Sequence, residues 1–393
     1  MKSLLVGGTF SDNATKAKAS KLFGQFAGTF LSNLNCSGRL INGGSLKELE
    51  DALEYAKDVQ VCVWWANIPD KDLPKVVKQL KRNNPTMVLV TSKRNTERQY
   101  SIADVTMHAL KCRANLLAEI RTRGKQYCVR VLDPLGNQYH EDTVDFAKAG
   151  NIAGARCVEL LKVRRACSIR VDNAVTVPNQ PDFLAIVREA AHRFSELLPQ
   201  VTNTERFLGN ASFRCSWGFP SFRNKDGVFV TRRNVNKEEL TMDQFVLVES
   251  APNGNVLYWG NHKPSVDTPI QLSLYNYYPQ VKYMLHGHVY VKNAKFVTNA
   301  DDVSLVVPCG ALQEAEAVKR FVDRRFVGRS IKSGNIKLNL RGHGHLILAR
   351  DLDFIRETEF MGRNFPEYQH DVRIEQLMAR DEIEGNQNRA VNN

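Results

Sequence analysis

No apolar stretch of this chain approaches the ~20 residues that a helix needs to cross a bilayer, so no membrane-spanning helix is expected. Paired cysteines are also absent. The eight cysteines stand singly at 36, 62, 112, 128, 157, 167, 215 and 309, with no Cys-x-x-Cys. That spacing excludes a cysteine-zinc site, argues against a disulfide scaffold and points to reduced thiols in a cytoplasmic protein. Neither G-x-G-x-x-G nor G-x-x-x-x-G-K-[ST] occurs, which removes the two best-known phosphate-binding loops. Acidic residues are the scarcer charge, 42 against 54 Lys and Arg, for a net +12. Such a balance favours anionic ligands, whether phosphorylated metabolites, nucleotides or nucleic acid. The basic residues are dispersed and form no long block, which argues against a dedicated nucleic-acid binder. The opening Met1-Lys2-Ser3-Leu4-Leu5-Val6-Gly7-Gly8 is too short an apolar run for a signal peptide and reads as a first strand.

With 393 residues, 43% hydrophobic and 24% charged, the chain has room for two soluble domains with cores of their own. Residues 1–125 alternate strands and helices. Strands are expected at Leu4–Thr9, Val59–Trp65 and Thr86–Thr91, with helices through Lys16–Phe30, Leu73–Arg82 and a long Ile102–Arg121. Ser45 and Glu48 form a capping box for a helix running to about Lys57. Apolar strands separated by helices imply a Rossmann-like parallel sheet covered on both faces. Gly7-Gly8-Thr9 at the carboxyl end of the first strand is where such sheets bind nucleotides, and Lys93-Arg94 would add positive charge there. A bare tight turn is the alternative reading of the glycine pair. Residues 126–180 are read as a connector or the end of this domain, with a strand at Tyr127–Leu132, a helix at Thr143–Leu161 weakened by Gly150 and Gly154, and a linker at Val177–Pro181.

A second unit is expected over 181–371, followed by a mobile tail at 372–393. It opens with an amphipathic helix over Phe183–Leu198. Strands follow at Phe213–Ser216, Val228–Thr231, Phe245–Glu249, Val256–Trp259, Val303–Val307 and Lys337–Leu348, with helices at Pro269–Tyr277 and Gln313–Arg325. Histidine is sparse, nine in all, yet four of the nine fall in two matching tripeptides, His286-Gly287-His288 and His343-Gly344-His345. Each lies in a run that reads as strand, where residues two apart share a face. His286 and His288 should then project together, and likewise His343 and His345. The intervening glycine leaves room for close approach by backbone or ligand. Neutral imidazoles converging from two strands suit zinc or a similar first-row metal. Ordinary polar residues on a half-buried sheet are the alternative, and the doubled tripeptide argues against it.

Over about residues 182–360 the chain resembles the class II aldolase/adducin family. Gly209-Asn210-Ala211-Ser212-Phe213-Arg214 looks like its G-N-x-S-x-R motif, and Lys263-Pro264-Ser265-Val266-Asp267 stands where the family has P-S-S-E. His286-Gly287-His288 falls at its H-x-H, and Gly342-His343-Gly344 at its final N-H-G or H-H-G. The resemblance implies a three-layer α/β/α domain, usually a homotetramer with sites between subunits. Members include sugar-phosphate aldolases, a pentulose-phosphate epimerase, a dehydratase and the non-enzymatic head of adducin. It also implies that His286, His288 and His343 hold a divalent metal, zinc being the expected ion, with His345 as a neighbour. Three imidazoles leave positions on the ion for a substrate carbonyl and hydroxyl, and the ion stabilises the enediolate left when a carbon–carbon bond breaks. Asp267 takes the place of the carboxylate that moves the proton. Without the resemblance it is a helix N-terminal acid ahead of Pro269, which would be stabilising there. Asn210, Ser212, Thr231 and Ser265 are implied as phosphate contacts. A cupin also presents a histidine pair on a strand, but adds a glutamate where Val289-Tyr290-Val291-Lys292-Asn293 stands here.

The chain departs from the family pattern at three points. Val266 replaces a serine, Asp267 shortens the glutamate by one methylene, and Thr231-Arg232-Arg233-Asn234 replaces the T-P-[ST]-G phosphate loop. Arg232 and Arg233 are therefore read as a clamp for a bulkier or more highly charged anion, with solvated surface arginines as the alternative. The expected function is a metal-dependent lyase of the aldolase type, or an epimerase, acting on a phosphorylated or nucleotide-linked sugar. The alternatives are a non-catalytic adducin-like scaffold and a nucleic-acid-associated protein.

Overall fold

Leu4, Leu5 and Val6 are wholly buried in β1 (Lys2–Phe10), the strand around which the first part of the chain winds. The structure is a computed structural model that describes residues 2–35, 37–68, 73–84, 86–96, 100–140, 142–173, 175–198, 207–216, 226–299, 306–325 and 334–362. The chain divides into two units, Met1–Lys162 and Val163–Asn393.

In the first unit β1 is followed by α1 (Lys21–Leu34), β2 (Ser37–Gly44), α2 (Leu46–Tyr55), β3 (Val61–Asn67), α3 (Leu73–Asn83) and β4 (Val88–Asn95). Then come α4 (Ile102–Lys111), β5 (Leu116–Arg123), β6 (Gln126–Leu132) and α5 (Phe146–Ala166). The sheet order is β2-β1-β3-β4-β5-β6, parallel throughout except for the last pair. This is a doubly wound, Rossmann-like α/β fold in which the strand order reverses between β1 and β3. One face of the sheet packs Phe23, Phe26 and Phe30 of α1 with Phe146, Ala149 and Ala153 of α5. The other packs Ala52 of α2, Val77 and Leu80 of α3, and Val105 and Ala109 of α4. The expected capping box is present, with Glu48 N donating to Ser45 Oγ and Ser45 N to Glu48. Gly150 and Gly154 let α5 lie directly on α1, since a Cβ at Gly150 would sit 2.2 Å from the Phe26 carbonyl oxygen.

One expectation for this unit is corrected. The long helix over Ile102–Arg121 ends at Lys111, Arg113 turns with φ of 51°, and Leu116–Arg123 forms β5. Leu116, Leu117 and Ala118 favour helix by themselves, but their slot between β4 and β6 is fully buried and sets them as strand. β2 had no sequence signal, because its glycines and Asn42 read as a loop. The division between the units falls inside α5, whose body packs on the first sheet while Ala166 and Cys167 join the core of the second unit. Val177–Pro181 lies within the second unit.

The second unit runs β7 (Ile169–Val171), α6 (Pro181–Leu197), β8 (Asn210–Ser216), β9 (Asp226–Thr231), β10 (Phe245–Ser250), β11 (Val256–Trp259), α7 (Thr268–Tyr277) and β12 (Tyr283–Gly287). It continues with β13 (Tyr290–Val291), β14 (Lys295–Val297), α8 (Gln313–Arg325), β15 (Ile336–Leu340), β16 (Gly344–Ala349), α9 (Leu352–Arg356) and β17 (Phe360–Met361). Nine strands form one sheet in the order β14-β15-β16-β12-β8-β9-β10-β11-β7. Alternate residues along its strands face two cores. Val228, Val230, Met284, Leu346 and Leu348 meet α7 and α8 on one side. Ala211, Phe213, Phe229, Leu285 and Ile347 meet α6 and α9 on the other. The result is the three-layer α/β/α arrangement.

Lys337–Leu348, expected as one strand, is a hairpin. β15 and β16 pair antiparallel, with Leu340 opposite Gly344, and Arg341, Gly342 and His343 make the turn. Residues 303–305 of the expected Val303–Val307 strand, and the expected tail, lie outside the described residues. Within those residues no helix is long and apolar enough to cross a membrane, and every described cysteine is a free thiol.

Candidate metal centre

β12 lies between β8 and β16, so His286 stands opposite Asn210 on one side and Leu346 on the other, with Gly287 opposite His345. The two His-Gly-His tripeptides meet through their glycines. A Cβ on Gly344 would sit 2.0 Å from the Gly287 carbonyl oxygen, and one on Gly287 would sit 2.7 Å from His345 Cε1. The close approach at Gly344 is to the backbone of Gly287, and that at Gly287 is to the rings of His345 and Phe194. Together they bring the turn residue His343 to His286, the last histidine of β12, and to His288 just beyond the strand.

His286, His288 and His343 offer ligand atoms all within 4.8 Å of one another. They are buried, at 4%, 6% and 0% exposure. Ring centroids are 5.2 Å apart for His286–His288, 4.7 Å for His286–His343 and 5.1 Å for His288–His343. His286 Nδ1 lies 2.7 Å from the His345 carbonyl oxygen. A carbonyl only accepts, so Nδ1 carries the proton and Nε2 keeps the lone pair that a metal needs.

His345 does not project with His343 as expected, because the tripeptide bends from turn into strand at Gly344, where φ is 157°. The His345 Nδ1 donates to the Val289 carbonyl at 2.9 Å, and its ring packs on Phe194 and Phe360. It supports the site by presenting its carbonyl to His286.

Asp267 is the residue before α7, but its side chain makes no capping bond to that helix. Instead its carboxylate accepts from Asn210 Nδ2 at 2.7 Å, and Asn210 in turn accepts from the Gln271 amide. The position at the N-terminus of α7 is also the one the helix-terminal alternative requires. Three charged side chains share the surroundings of Asp267, none of them expected from sequence except Arg233. Glu314, on the first turn of α8, is 3% exposed, and its Oε2 lies 3.5 Å from His343 Nδ1. Burial holds its carboxyl well above the ordinary glutamate range, and the Asp267 charge pushes the same way. Lys237 is 7% exposed and, among the described residues, donates only to the Val235 carbonyl, at 3.2 Å. Burial pulls its ammonium down to about 8, with Asp267 opposing. All three guanidinium nitrogens of Arg233 are out of solvent and have no hydrogen-bond partner among the described residues.

The remaining expected contacts separate. Ser212 Oγ is spent on Tyr275 OH at 3.1 Å, and Thr231 Oγ1 accepts from the Ala211 amide at 3.3 Å. Ser265 Oγ accepts from the Asp267 amide at 3.4 Å. Arg232 is half-exposed, and only its backbone is engaged, with Gln244 and Pro264. Asn234 holds φ of 53°, the conformation a glycine would take in that loop.

In the first unit, Gly7-Gly8-Thr9 does not form an open cradle. A Cβ on Gly7 would meet the Phe23 ring at 2.2 Å, and one on Gly8 would meet Gly43 N and Lys18 O at 2.6 Å. Thr9 exchanges backbone hydrogen bonds with Lys18. These glycines accommodate the chain itself.

Residues 191–353 match the family model of the Class II Aldolase and Adducin N-terminal domain. That stretch is similar to the class II aldolase/adducin domain. All three histidines, Asp267, Glu314, Lys237 and Arg233 lie inside it. No curated protein matches the chain in sequence. Among solved structures, the DNA/pantothenate metabolism flavoprotein from Streptococcus pneumoniae aligns at 14% identity with a TM-score of 0.31, covering 42% of this chain and 99% of that one. A likeness that loose carries no argument. The aldolase/adducin-like stretch has the donor set a divalent metal requires, three buried imidazoles of which one has its tautomer fixed by a carbonyl.

Proposed function

We propose that the protein is a metal-dependent lyase of the aldolase type, or an epimerase, acting on a phosphorylated or nucleotide-linked sugar, with zinc as its resident ion. The observation that carries this reading is the buried trio of His286, His288 and His343 with a carboxylate, Asp267, that caps nothing. A bound divalent ion would supply Lewis acidity to stabilise an enediolate. Asp267 is the group that takes and returns the proton, held in place by Asn210. Arg233, assisted by Arg232 at the surface, receives the anionic group of the substrate, since a buried guanidinium without a partner is costly until an anion arrives. An adducin-like scaffold would gain nothing from three buried imidazoles and an acid held in place by Asn210, which favours catalysis.

The test is a panel of phosphorylated ketoses and nucleotide sugars, followed by NMR for cleavage and for exchange of the substrate C–H proton with deuterated water. Metal-dependent turnover should appear with at least one compound and fall by about 100-fold or more in Asp267→Asn, with metal content unchanged. Arg232→Ala/Arg233→Ala should weaken the substrate by roughly 1.5–3 kcal/mol per lost charge-assisted contact. Turnover that is independent of metal, or equal in Asp267→Asn, would refute the reading.

A further inference from the structure

Three of the four histidines in the two tripeptides converge on one point, and the fourth, His345, is not among them. His345 is nevertheless wholly buried and tied to each of the other three. Across the β12–β16 ladder it stands opposite Gly287, the residue between His286 and His288. Its carbonyl oxygen accepts the His286 Nδ1 proton at 2.7 Å. Its own Nδ1 lies 2.9 Å from the Val289 carbonyl oxygen and is the donor there, because a carbonyl only accepts. One glycine before it in the chain is the turn residue His343.

The bond to Val289 matters because of where β12 ends. That strand runs Tyr283–Gly287, so His286 is set by ladder hydrogen bonds to β8 and β16. His288 and Val289 lie past the last ladder pair and before β13 begins at Tyr290. Hydrogen bonding from the sheet therefore does not set them, and the His345 imidazole fastens the residue that follows His288. Gly287 makes room for that imidazole, since a Cβ there would lie 2.7 Å from His345 Cε1. Elsewhere the ring meets Phe194 and Phe360, at centroid distances of 5.1 and 5.0 Å. A leucine could fill such an apolar slot, but it could not donate to a buried carbonyl. We propose that His345 is a positioning residue of the metal centre, its Nδ1–H fixing the segment that carries His288 while its carbonyl fixes the tautomer of His286. The inference rests on the reading of His286, His288 and His343 as metal ligands. It gives the doubled tripeptide a physical reason. Gly287 of the first accommodates the last histidine of the second, and Gly344 of the second accommodates the backbone of the first.

The test separates the hydrogen bond from the packing. The full chain is stripped of metal and titrated with zinc against a chromophoric chelator, and with cobalt, whose visible absorption reports the ligand geometry. His345→Leu keeps an apolar body against Phe194 and Phe360 but loses the donor. It should bind both metals about 10- to 100-fold more weakly, with an altered cobalt spectrum. His345→Asn gives up the ring packing but sets an amide N–H near the place of Nδ1. Its metal-free form should melt below that of His345→Leu, yet it should bind within about threefold of the parent and keep the parent cobalt spectrum. His345→Gln, whose amide reaches toward the place of Nε2 instead, should lose affinity as His345→Leu does, and serves if the leucine variant fails to fold. A merely structural role gives the opposite order, with affinity following melting temperature. Parent-like affinity and spectrum in the leucine or glutamine variant would overturn the proposal, as would a loss in the asparagine variant equal to theirs. A parent that binds neither metal would overturn the metal reading and this inference with it, whereas a metal-binding parent with indifferent variants overturns only the role of His345.

Discussion

Replacing Lys237 by methionine should make the protein more stable at neutral pH. The side chain is 7% exposed, and its only hydrogen bond among the described residues is a 3.2 Å contact to the Val235 carbonyl. Burial holds the ammonium at about 8, against an ordinary 10.5. At about 1.4 kcal/mol per pH unit, that difference corresponds to roughly 3 kcal/mol of cost to the folded state while the amine is charged. The sign follows from the lowered folded value. Stability from this group is fully present above the unfolded value of 10.5 and is lost as pH falls through about 8. Methionine keeps most of the apolar stem and removes the charge. Lys237→Met should therefore gain up to roughly 3 kcal/mol at pH 6–7, with the gain shrinking as pH approaches 10. Urea unfolding at a series of pH values reads this directly. A variant less stable than the parent at pH 7, or a gain that does not change with pH, would refute the reasoning. A confirmed gain would mark Lys237 as a group kept in the site at the expense of stability.

Glu314→Leu should keep the fold but weaken metal binding by about 10- to 100-fold, because the acid whose Oε2 lies 3.5 Å from His343 Nδ1 would be lost as an outer partner of that imidazole. Competition with a chromophoric chelator measures this, and unchanged affinity would remove Glu314 from the site. Gly344→Ala would place a Cβ 2.0 Å from the Gly287 carbonyl oxygen. It should lower the melting temperature and the metal content together, and a variant with both intact would refute the glycine contact. The protein should be a closed homo-oligomer, a tetramer by analogy with the aldolase/adducin family. Light scattering that gives a monomer at working concentration would contradict this.

The parts of the sequence that could be read correctly are those where local chemistry and final environment agree. Ser45 and Glu48 form their capping box in place. The stripe Phe183, Ile186, Val187, Ala190 and Ala191 is the buried face of α6. The histidine tripeptides come together because Gly344 permits the backbones to touch. Where the two disagree, the sequence misleads. Leu116 to Ala118 favour helix, and only their place between two strands makes them β5. The run Lys337–Leu348 is apolar on both sides of its turn, so periodicity could not show that Gly342 and His343 reverse the chain. Lys237 sits in the charged run Asn236-Lys237-Glu238-Glu239, which reads as solvated surface. Glu314 resembles a helix N-terminal acid. One signal was available for it, since it lies four and eight residues before Val318 and Val322, on the buried stripe of α8.

The most direct measurement is the metal content of the purified protein by mass spectrometry, for the parent and for His286→Ala and His343→Ala. Close to one divalent transition metal per chain is expected in the parent, and neither variant should retain it, because two imidazoles cannot hold the ion against water and buffer. A parent that purifies without metal and binds none on titration with zinc, cobalt or manganese would contradict the account.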